Sequence, residues 1–252
     1  MTPLFEVRGL TKRFLGITAV DGVDLALERG ELVSLIGPNG SGKTTFFNCV
    51  TGFLPVDGGR VFFRGGEITG APPYRIARLG IARTFQIVSV FARLTVLENL
   101  LVFLQQHQEE NFAGRLLRSR RIHRLEDQAL ERARSLLALV GLARVPTTLA
   151  GTLSYGQRKL LAFAAALMPE PELILLDEPT AAVNPTMINQ MKELILALHR
   201  LGKTVLLVEH NMDVVMDISQ RVVVLDHGQK IAEGPPQAIR RDPRVLEAYF
   251  GR

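Results

Sequence analysis

A glycine-rich segment early in the chain has the spacing of a phosphate-binding loop. Residues 37–44 fit the pattern G-x-x-x-x-G-K-[ST]. Glycines let the backbone curl so that successive N–H groups face a phosphate, and the start of a following helix adds a favourable dipole. We expect Lys43 to reach the β- and γ-phosphates of a nucleotide and the Thr44 hydroxyl to ligate Mg²⁺. The candidate binding residues here are Gly37, Pro38, Asn39, Gly40, Ser41, Gly42, Lys43, Thr44 and Thr45.

Two acidic residues follow an apolar run in the last third of the chain. Asp177 and Glu178 come directly after the four apolar residues 173–176. A buried strand that delivers acids at its carboxyl end suits a metal-assisted phosphate site. We expect Asp177 to hold Mg²⁺ directly or through water, and Glu178 to polarise an attacking water. Alone, the pair fits solvated acids at a strand end equally well, and the phosphate-binding loop favours the catalytic interpretation.

A second helix start with free backbone N–H groups lies at residues 154–157. Ser154 is a typical N-cap, Gly156 leaves N–H groups open, and Tyr155 and Gln157 complete the turn. One nucleotide has only one γ-phosphate. Either the two helix starts converge within one chain, or each completes a site built with a second copy.

Three further residues are weak candidates when each is taken alone. His210 follows the apolar run 205–208 and Glu209, a position from which it would contact a γ-phosphate or orient the water. Gln86 follows Arg83-Thr84-Phe85. Phe14 fits stacking on a purine as well as burial in a core.

The elements that must position these residues follow from the apolar periodicity. Short apolar runs predict strands over 5–10, 23–27 and 32–36, with a hairpin-like turn over 28–31 and a helix over 43–50. From 95 to 140 the apolar residues recur at helical spacing. The last third alternates buried strands with helices over 185–200 and 212–218, which predicts βαβ units and a parallel sheet.

Composition excludes several classes of protein. The 252 residues carry a formal net charge of +5, and the single cysteine, Cys49, rules out an intrachain disulfide. The longest apolar run, 160–168, is far below the roughly 18 residues of a spanning helix. The first residues lack the pattern of a secretory signal. We therefore expect a soluble, cytoplasmic protein. Of its 30 basic residues, 24 are arginines.

Together these residues, in this order, resemble the ATP-binding cassette family of transport ATPases. The resemblance covers essentially the whole chain, and its most specific part is Leu153–Gln157 about 20 residues before the acidic pair. It implies a head-to-tail dimer that sandwiches two ATP molecules with Mg²⁺. Each ATP would lie between one chain's phosphate-binding loop and Ser154, Tyr155, Gly156 and Gln157 of the other chain.

The resemblance also implies individual roles and a domain plan. Phe14 would contact adenine with Val20 nearby, Gln86 would sense Mg²⁺, Glu178 would be the catalytic base and His210 would contact the γ-phosphate. The implied fold class is α/β: a RecA-like P-loop NTPase core with an N-terminal antiparallel β subdomain and an inserted α-helical subdomain. The expected divisions are 1–94 with 169–234 for the core, 95–168 for the helical part and 235–252 for a C-terminal extension.

Within this family the chain looks most like an ATPase subunit of branched-chain amino acid importers. Segments 80–86, 94–99, 231–234 and 242–249 resemble that subgroup. Tyr155 and Asn184 depart from the wider family, where Gly and Asp are usual. The implied partners are a second ATPase subunit, identical or paralogous, integral membrane permease subunits and, indirectly, a substrate-binding protein. This places the chain on the cytoplasmic face of the inner membrane.

Other interpretations stay open in the sequence. A urea or amide importer or a lipopolysaccharide exporter would share these motifs. A DNA-repair ATPase needs a long coiled coil where only about 110 residues separate the motifs, so no nucleic-acid partner is expected. A GTPase would need an Asn-Lys-x-Asp motif, which is absent. An arginine cluster fits a solvated helical face or contact with anionic lipid headgroups. Its members are Arg115, Arg118, Arg120, Arg121 and Arg124.

Overall fold

A computed structural model describes residues 2–84, 90–105 and 120–251, with side chains excepted at 104–105 and 120–123. The chain divides into two compact units, Met1–Arg83 with Glu172–Arg252, and Thr84–Pro171. The described strands are β1 (Phe5–Phe14), β2 (Ile17–Leu27), β3 (Leu32–Ile36), β4 (Gly58–Phe63), β5 (Gly66–Glu67), β6 (Ile81–Arg83), β7 (Leu173–Asp177), β8 (Thr204–Val208), β9 (Arg221–Asp226) and β10 (Gln229–Gly234). The described α-helices are α1 (Lys43–Val50), α2 (Pro73–Arg78), α3 (Val96–Gln105), α4 (Arg120–Leu139), α5 (Tyr155–Leu167), α6 (Pro185–Arg200), α7 (Met212–Ile218), α8 (Pro236–Ile239) and α9 (Pro243–Phe250).

The first unit contains two sheets of opposite character. An antiparallel sheet has the strand order β2-β1-β4-β5, and a second sheet has the order β10-β9-β3-β8-β7-β6. Its strands are parallel except for β10, which pairs with β9 antiparallel. Every residue of β3, β7 and β8 is buried, as continuous apolar runs predict. The predicted α/β class with an antiparallel β subdomain is therefore confirmed.

The segment 28–31 is not the hairpin-like turn that its sequence predicts. Leu27 pairs with Phe5 in the antiparallel sheet, whereas Leu32 pairs with Val205 in the parallel sheet. The turn therefore links two different sheets. Its residues have turn-forming types, but which strands pair is decided by long-range burial rather than by the turn.

Two β bounds also differ from the sequence prediction. β1 continues beyond the predicted end to Phe14, and β2 begins before the predicted start, at Ile17. A tight turn with Leu15 and Gly16 at positive φ joins them. The extra residues pair across the two strands, since Phe14 lies opposite Ile17. Antiparallel pairing thus extends both strands beyond their apolar runs.

The second unit packs three helices around an apolar centre. Leu100 of α3, Leu137 of α4 and Leu161 of α5 are fully buried or nearly so. The Arg132 guanidinium ties α4 to the end of α5 by donating to the carbonyl oxygens of Leu167, at 2.6 Å, and Met168, at 2.8 Å. These two bonds satisfy carbonyls that a helix end leaves without an intrahelical partner. In the arginine cluster, Arg115 and Arg118 lie outside the described residues, and Arg124 is exposed.

The C-terminal helices pack on the outer part of the parallel sheet. Val245 of α9 and Ile239 of α8 are buried in a cluster with Ile36 and Val224. Asp242 caps α9 by accepting from the Arg244 backbone N–H at 2.9 Å. Within the described part of the chain, every helix is too short or too polar to span a membrane.

Candidate active site

The loop between β3 and α1 has a backbone that only glycine fits. Gly37 has φ 153°, and a Cβ there would lie 2.1 Å from the Leu225 carbonyl oxygen. Gly42 has φ 99° at the N-cap of α1, and its Cβ would lie 2.2 Å from the Ala19 carbonyl oxygen. Contacts this short force the backbone to move. Because glycine has no side chain at these two positions, the loop can pack directly against β9 and β2.

Lys43 is the buried cation of this loop. Its ammonium donates to the carbonyl oxygens of Gly37 at 2.8 Å and Pro38 at 2.9 Å, and to Ser41 Oγ at 3.1 Å. Burial lowers the pKa of Lys43, and the carboxylates of Glu178 and Asp177 oppose that shift. The charge is thus held inside the loop with two carboxylates near enough to stabilise it.

A cavity of about 230 Å³ opens beside this loop. It brings together one part of the phosphate-binding loop with Glu178 and His210, which come from the ends of β7 and β8. The loop therefore meets two residues that lie more than 130 positions later in the sequence, at the carboxyl edge of the parallel sheet, where ligands of such sheets bind. The cavity is lined by Ala19, Asn39, Gly40, Gly42, Lys43, Thr44, Thr45, Glu178 and His210.

Glu178 is held in an unusual backbone conformation. Its φ is 48°, in the left-handed region that non-glycine residues rarely adopt. Its N–H donates to the Val208 carbonyl oxygen at 2.9 Å, which fixes it to the end of β8. The Glu178 carboxylate lies 2.5 Å from His210 Nε2. This hydrogen bond joins the predicted base and the predicted γ-phosphate contact into one group.

Asp177 forms an ion pair that the sequence analysis missed. One amino group of the Arg83 guanidinium lies 2.8 Å from Asp177 Oδ2, and both side chains are only 7% exposed. The other amino group donates to Asn48 Oδ1 at 2.8 Å and Thr51 Oγ1 at 2.9 Å, both on or next to α1. The available signal was a lone arginine at the end of a three-residue apolar strand. Which strand it adjoins is a tertiary fact: β6 pairs with β7.

The oxygen donors at this edge suit a magnesium ion. The Thr44 hydroxyl and the Asp177 carboxylate are hard oxygen ligands, the type that Mg²⁺ prefers. Among the described residues, no group of three or more His, Cys, Asp or Glu side chains forms a metal cage. Mg²⁺ commonly has only one or two protein ligands, because nucleotide phosphates and waters supply its other ligands.

The other predicted contacts lie in different environments. Phe14 is 41% exposed, with the Lys12 ammonium 5.3 Å from its ring centre, so it is not a core residue. Val20 is fully buried in β2. Gln86 lies outside the described residues. Its assignment as a magnesium ligand and sensor stays a prediction.

Ser154 and Gln157 form a reciprocal cap at the start of α5. Ser154 Oγ accepts from the Gln157 N–H at 3.2 Å, and Gln157 Oε1 accepts from the Ser154 N–H at 3.0 Å. Tyr155 is 41% exposed, and the Lys159 ammonium lies 5.7 Å from its ring centre. All of these residues, Gly156 included, belong to the second unit, whereas the cavity residues belong to the first.

A parallel sheet that leads into this glycine loop, with a buried lysine and an acidic pair two strands away, defines a P-loop nucleoside triphosphatase. The sequence profile of the ABC transporter family matches residues 20–181. A second profile, described as branched-chain amino acid ATP-binding cassette transporter, matches residues 229–252. The chain belongs to the ABC transporter family, and it is an ATPase.

Curated relatives align with nearly the whole chain. A high-affinity branched-chain amino acid transport ATP-binding protein of Pseudomonas aeruginosa, BraF, is 45% identical over 99% of this chain and 98% of its own length. The protein of the same description from Escherichia coli, LivG, is 43% identical over the same shares. A probable LivG of Archaeoglobus fulgidus is 40% identical over 98% of this chain and 95% of its own length.

Solved structures support the same fold. The ADP conformation of MJ1267, an ATP-binding cassette of an ABC transporter, has a TM-score of 0.86 and 34% identity over 100% of both chains. A dimeric cassette, MJ0796 bound to ADP and Pi, has a TM-score of 0.77 and 26% identity over 92% of this chain and 98% of that one. The dimer is a property of the MJ0796 structure.

Proposed function

We propose that this chain is the ATP-hydrolysing subunit of an importer for branched-chain amino acids. The observation on which the hydrolytic site rests is the single cavity lined by Lys43, Glu178 and His210. The substrate assignment rests on the names of relatives that are 43–45% identical over 99% of the chain. Because an ATPase subunit does not touch the cargo, that assignment needs a test on the assembled transporter.

The positions of three side chains support hydrolysis at this site. The Glu178 carboxylate accepts a proton from the attacking water, and His210, bonded to it at 2.5 Å, keeps that carboxylate oriented and contacts the γ-phosphate. Lys43 would exchange its carbonyl partners for phosphate oxygens when ATP enters the loop. Mg²⁺, held by Thr44 and Asp177 with Gln86, would neutralise charge that develops on the phosphates.

The complete site is proposed to need a second copy or a paralogue. Ser154, Tyr155, Gly156 and Gln157 would reach the γ-phosphate bound by the partner chain, with Phe14 and Val20 on the adenine side. Segment 95–168 would act as the helical part that responds to the nucleotide, with 1–94 and 169–234 as the core and 235–252 as the C-terminal extension. The partners would be permease subunits, and the location the cytoplasmic face of the cell membrane.

Reconstitution with the permease subunits and the cognate substrate-binding protein tests this proposal. We expect the binding protein loaded with leucine, isoleucine or valine to stimulate ATP hydrolysis several-fold, because cargo delivery and dimer closure are coupled. Glu178→Gln should bind ATP but lose at least about 100-fold in single-turnover rate. Stimulation by urea or an amide instead would overturn the substrate assignment. Normal hydrolysis in Glu178→Gln would remove Glu178 as the base.

A further inference from the structure

Glu209 is a buried carboxylate that lies between the two catalytic loops and has no assigned role. It is only 3% exposed and comes directly after β8, next to His210. Burying a carboxylate is unfavourable unless hydrogen bonds replace the lost water. The contacts that replace the water show what the side chain holds in place.

Four donors converge on the two oxygens of this side chain. Oε1 accepts from the Thr180 N–H at 2.9 Å and from the Thr180 hydroxyl at 2.5 Å. Oε2 accepts from the His210 N–H at 2.9 Å and the Asn211 N–H at 3.1 Å. One oxygen therefore binds the loop after Glu178, and the other binds the loop that presents His210.

The loop after Glu178 needs such an anchor because its backbone is strained. Glu178 has φ 48° and Ala182 has φ 57°. Non-glycine residues in this region cost of order 1–3 kcal/mol each and persist only where surrounding contacts fix them. The Thr180 bonds to Glu209 lie between these two residues in the sequence, two positions after the Glu178 N–H that donates to Val208.

We propose that Glu209 is a positioning residue that fixes the distance between the Glu178 carboxylate and His210. Glu209 itself does not line the cavity beside the phosphate-binding loop. Its two oxygens hold both loops by their backbones and thereby keep the Glu178 carboxylate 2.5 Å from His210 Nε2. This inference rests on the proposed hydrolytic roles of Glu178 and His210.

Glu209→Gln is the sharpest variant because it replaces one acceptor oxygen with an NH₂ donor of nearly the same shape. Either the Thr180 pair or the His210 and Asn211 pair would then face a donor, and that loop would move. We expect kcat for ATP to fall about 10- to 100-fold, since misplacement near 1 Å has that effect, with the KM for ATP within about two-fold of wild type. Nucleotide binding should survive because Glu209 does not line the cavity.

Glu31→Gln is the matched control at the opposite edge of the same sheet. Glu31 is a partly buried carboxylate that, like Glu209, bridges two segments, here through Arg221 and the Glu28 N–H. Its loss should lower the melting temperature but leave kcat within about two-fold of wild type. Thr180→Val removes a single hydroxyl donor, and we expect a smaller fall in kcat at unchanged KM. If Glu209→Gln fails to fold, the kcat of Thr180→Val is the test: a fall at unchanged KM supports the positioning role, and a kcat equal to that of wild type overturns it.

Wild type and Glu178→Gln measured in parallel separate the two proposals. If Glu209→Gln matches wild type in kcat, or if kcat falls equally in Glu31→Gln, the positioning role is wrong while the proposed function stands. A raised KM at unchanged kcat would also overturn it. If Glu178→Gln hydrolyses ATP normally, the proposed base is wrong whatever Glu209→Gln does.

Discussion

Charged side chains gather at both ends of the parallel strands, which we call the amino edge and the carboxyl edge of the sheet. The two edges stabilise these charges differently. At the amino edge, Arg221 pairs with Glu31 and Glu233, and these side chains are 18–30% exposed. At the carboxyl edge, Arg83 and Asp177 are 7% exposed and Glu209 is 3% exposed. Water can replace a lost partner at the first edge. At the second edge the side chains are shielded from water, so protein groups must balance each charge.

This difference follows from what each edge must do. No functional residue is predicted at the amino edge, so its ion pairs need only be compatible with folding. The carboxyl edge is the proposed site for a polyanion, and fixed, desolvated groups there would stabilise charge without reorganising. The same desolvation makes each buried charge depend on its partner. Substitutions at matched positions should therefore have unequal effects at the two edges.

The largest contrast should come from removing one arginine at each edge. Arg83→Met leaves Asp177 buried without its guanidinium, and we expect a loss of about 3–5 kcal/mol in the free energy of unfolding. Arg29→Met removes an exposed partner of Glu172 and should lose about 0–1 kcal/mol. Urea unfolding followed by circular dichroism measures both. Equal losses would show that the edges do not differ.

A smaller contrast should come from glycine substitutions at positive φ. Gly42→Ala at the carboxyl edge meets the Ala19 carbonyl at 2.2 Å, whereas Gly202→Ala, just before β8, has open space. We expect about 1–2 kcal/mol from the backbone in both variants, with a further 1–3 kcal/mol from the clash in Gly42→Ala. ATP affinity, measured by titration with a fluorescent analogue, should fall only in Gly42→Ala. Unchanged affinity there would contradict the fit of this loop.

The smallest effect should be a loss of amino-edge stability in acid. Burial opposes ionisation of Glu172, but hydrogen bonds from Arg29 and Arg64 lower its pKa below the ordinary value of 4.5. A lowered folded-state pKa stabilises the protein above the unfolded pKa, and this contribution disappears as pH falls through the folded one. Because these groups are partly exposed, the total is about 0–1 kcal/mol.

Arg64→Met isolates this acid-dependent contribution. Wild type should be slightly more stable than the variant at pH 7, and this difference should shrink at acidic pH as the folded-state Glu172 becomes protonated. Melting temperatures at the two pH values measure the difference. A gap that persists in acid would assign the effect to packing of the Arg64 stem on Phe63 instead.

Local patterns predicted much of the fold and part of the site. α1, α6 and α7 begin and end where the sequence places them, and β3 matches its apolar run, because capping residues and continuous apolar runs are local signals. The glycine spacing likewise located the loop in which the structure places the Lys43 ammonium, while its contact with phosphates stays a prediction. The prediction of a hairpin-like turn over 28–31 was wrong. Its residues suit several kinds of turn, and no local feature indicates which strand pairs with which.

The sequence by itself determined the chemical parts: a loop that can approach a phosphate, a lysine, an acidic pair after an apolar strand, and a histidine after another. Only the tertiary structure decided that Arg83 neutralises Asp177 and that Glu209 joins the loops of Glu178 and His210. Residue type and spacing fix what a side chain can donate or accept. Its partner depends on which strands lie side by side, and that is set by burial between residues distant in sequence.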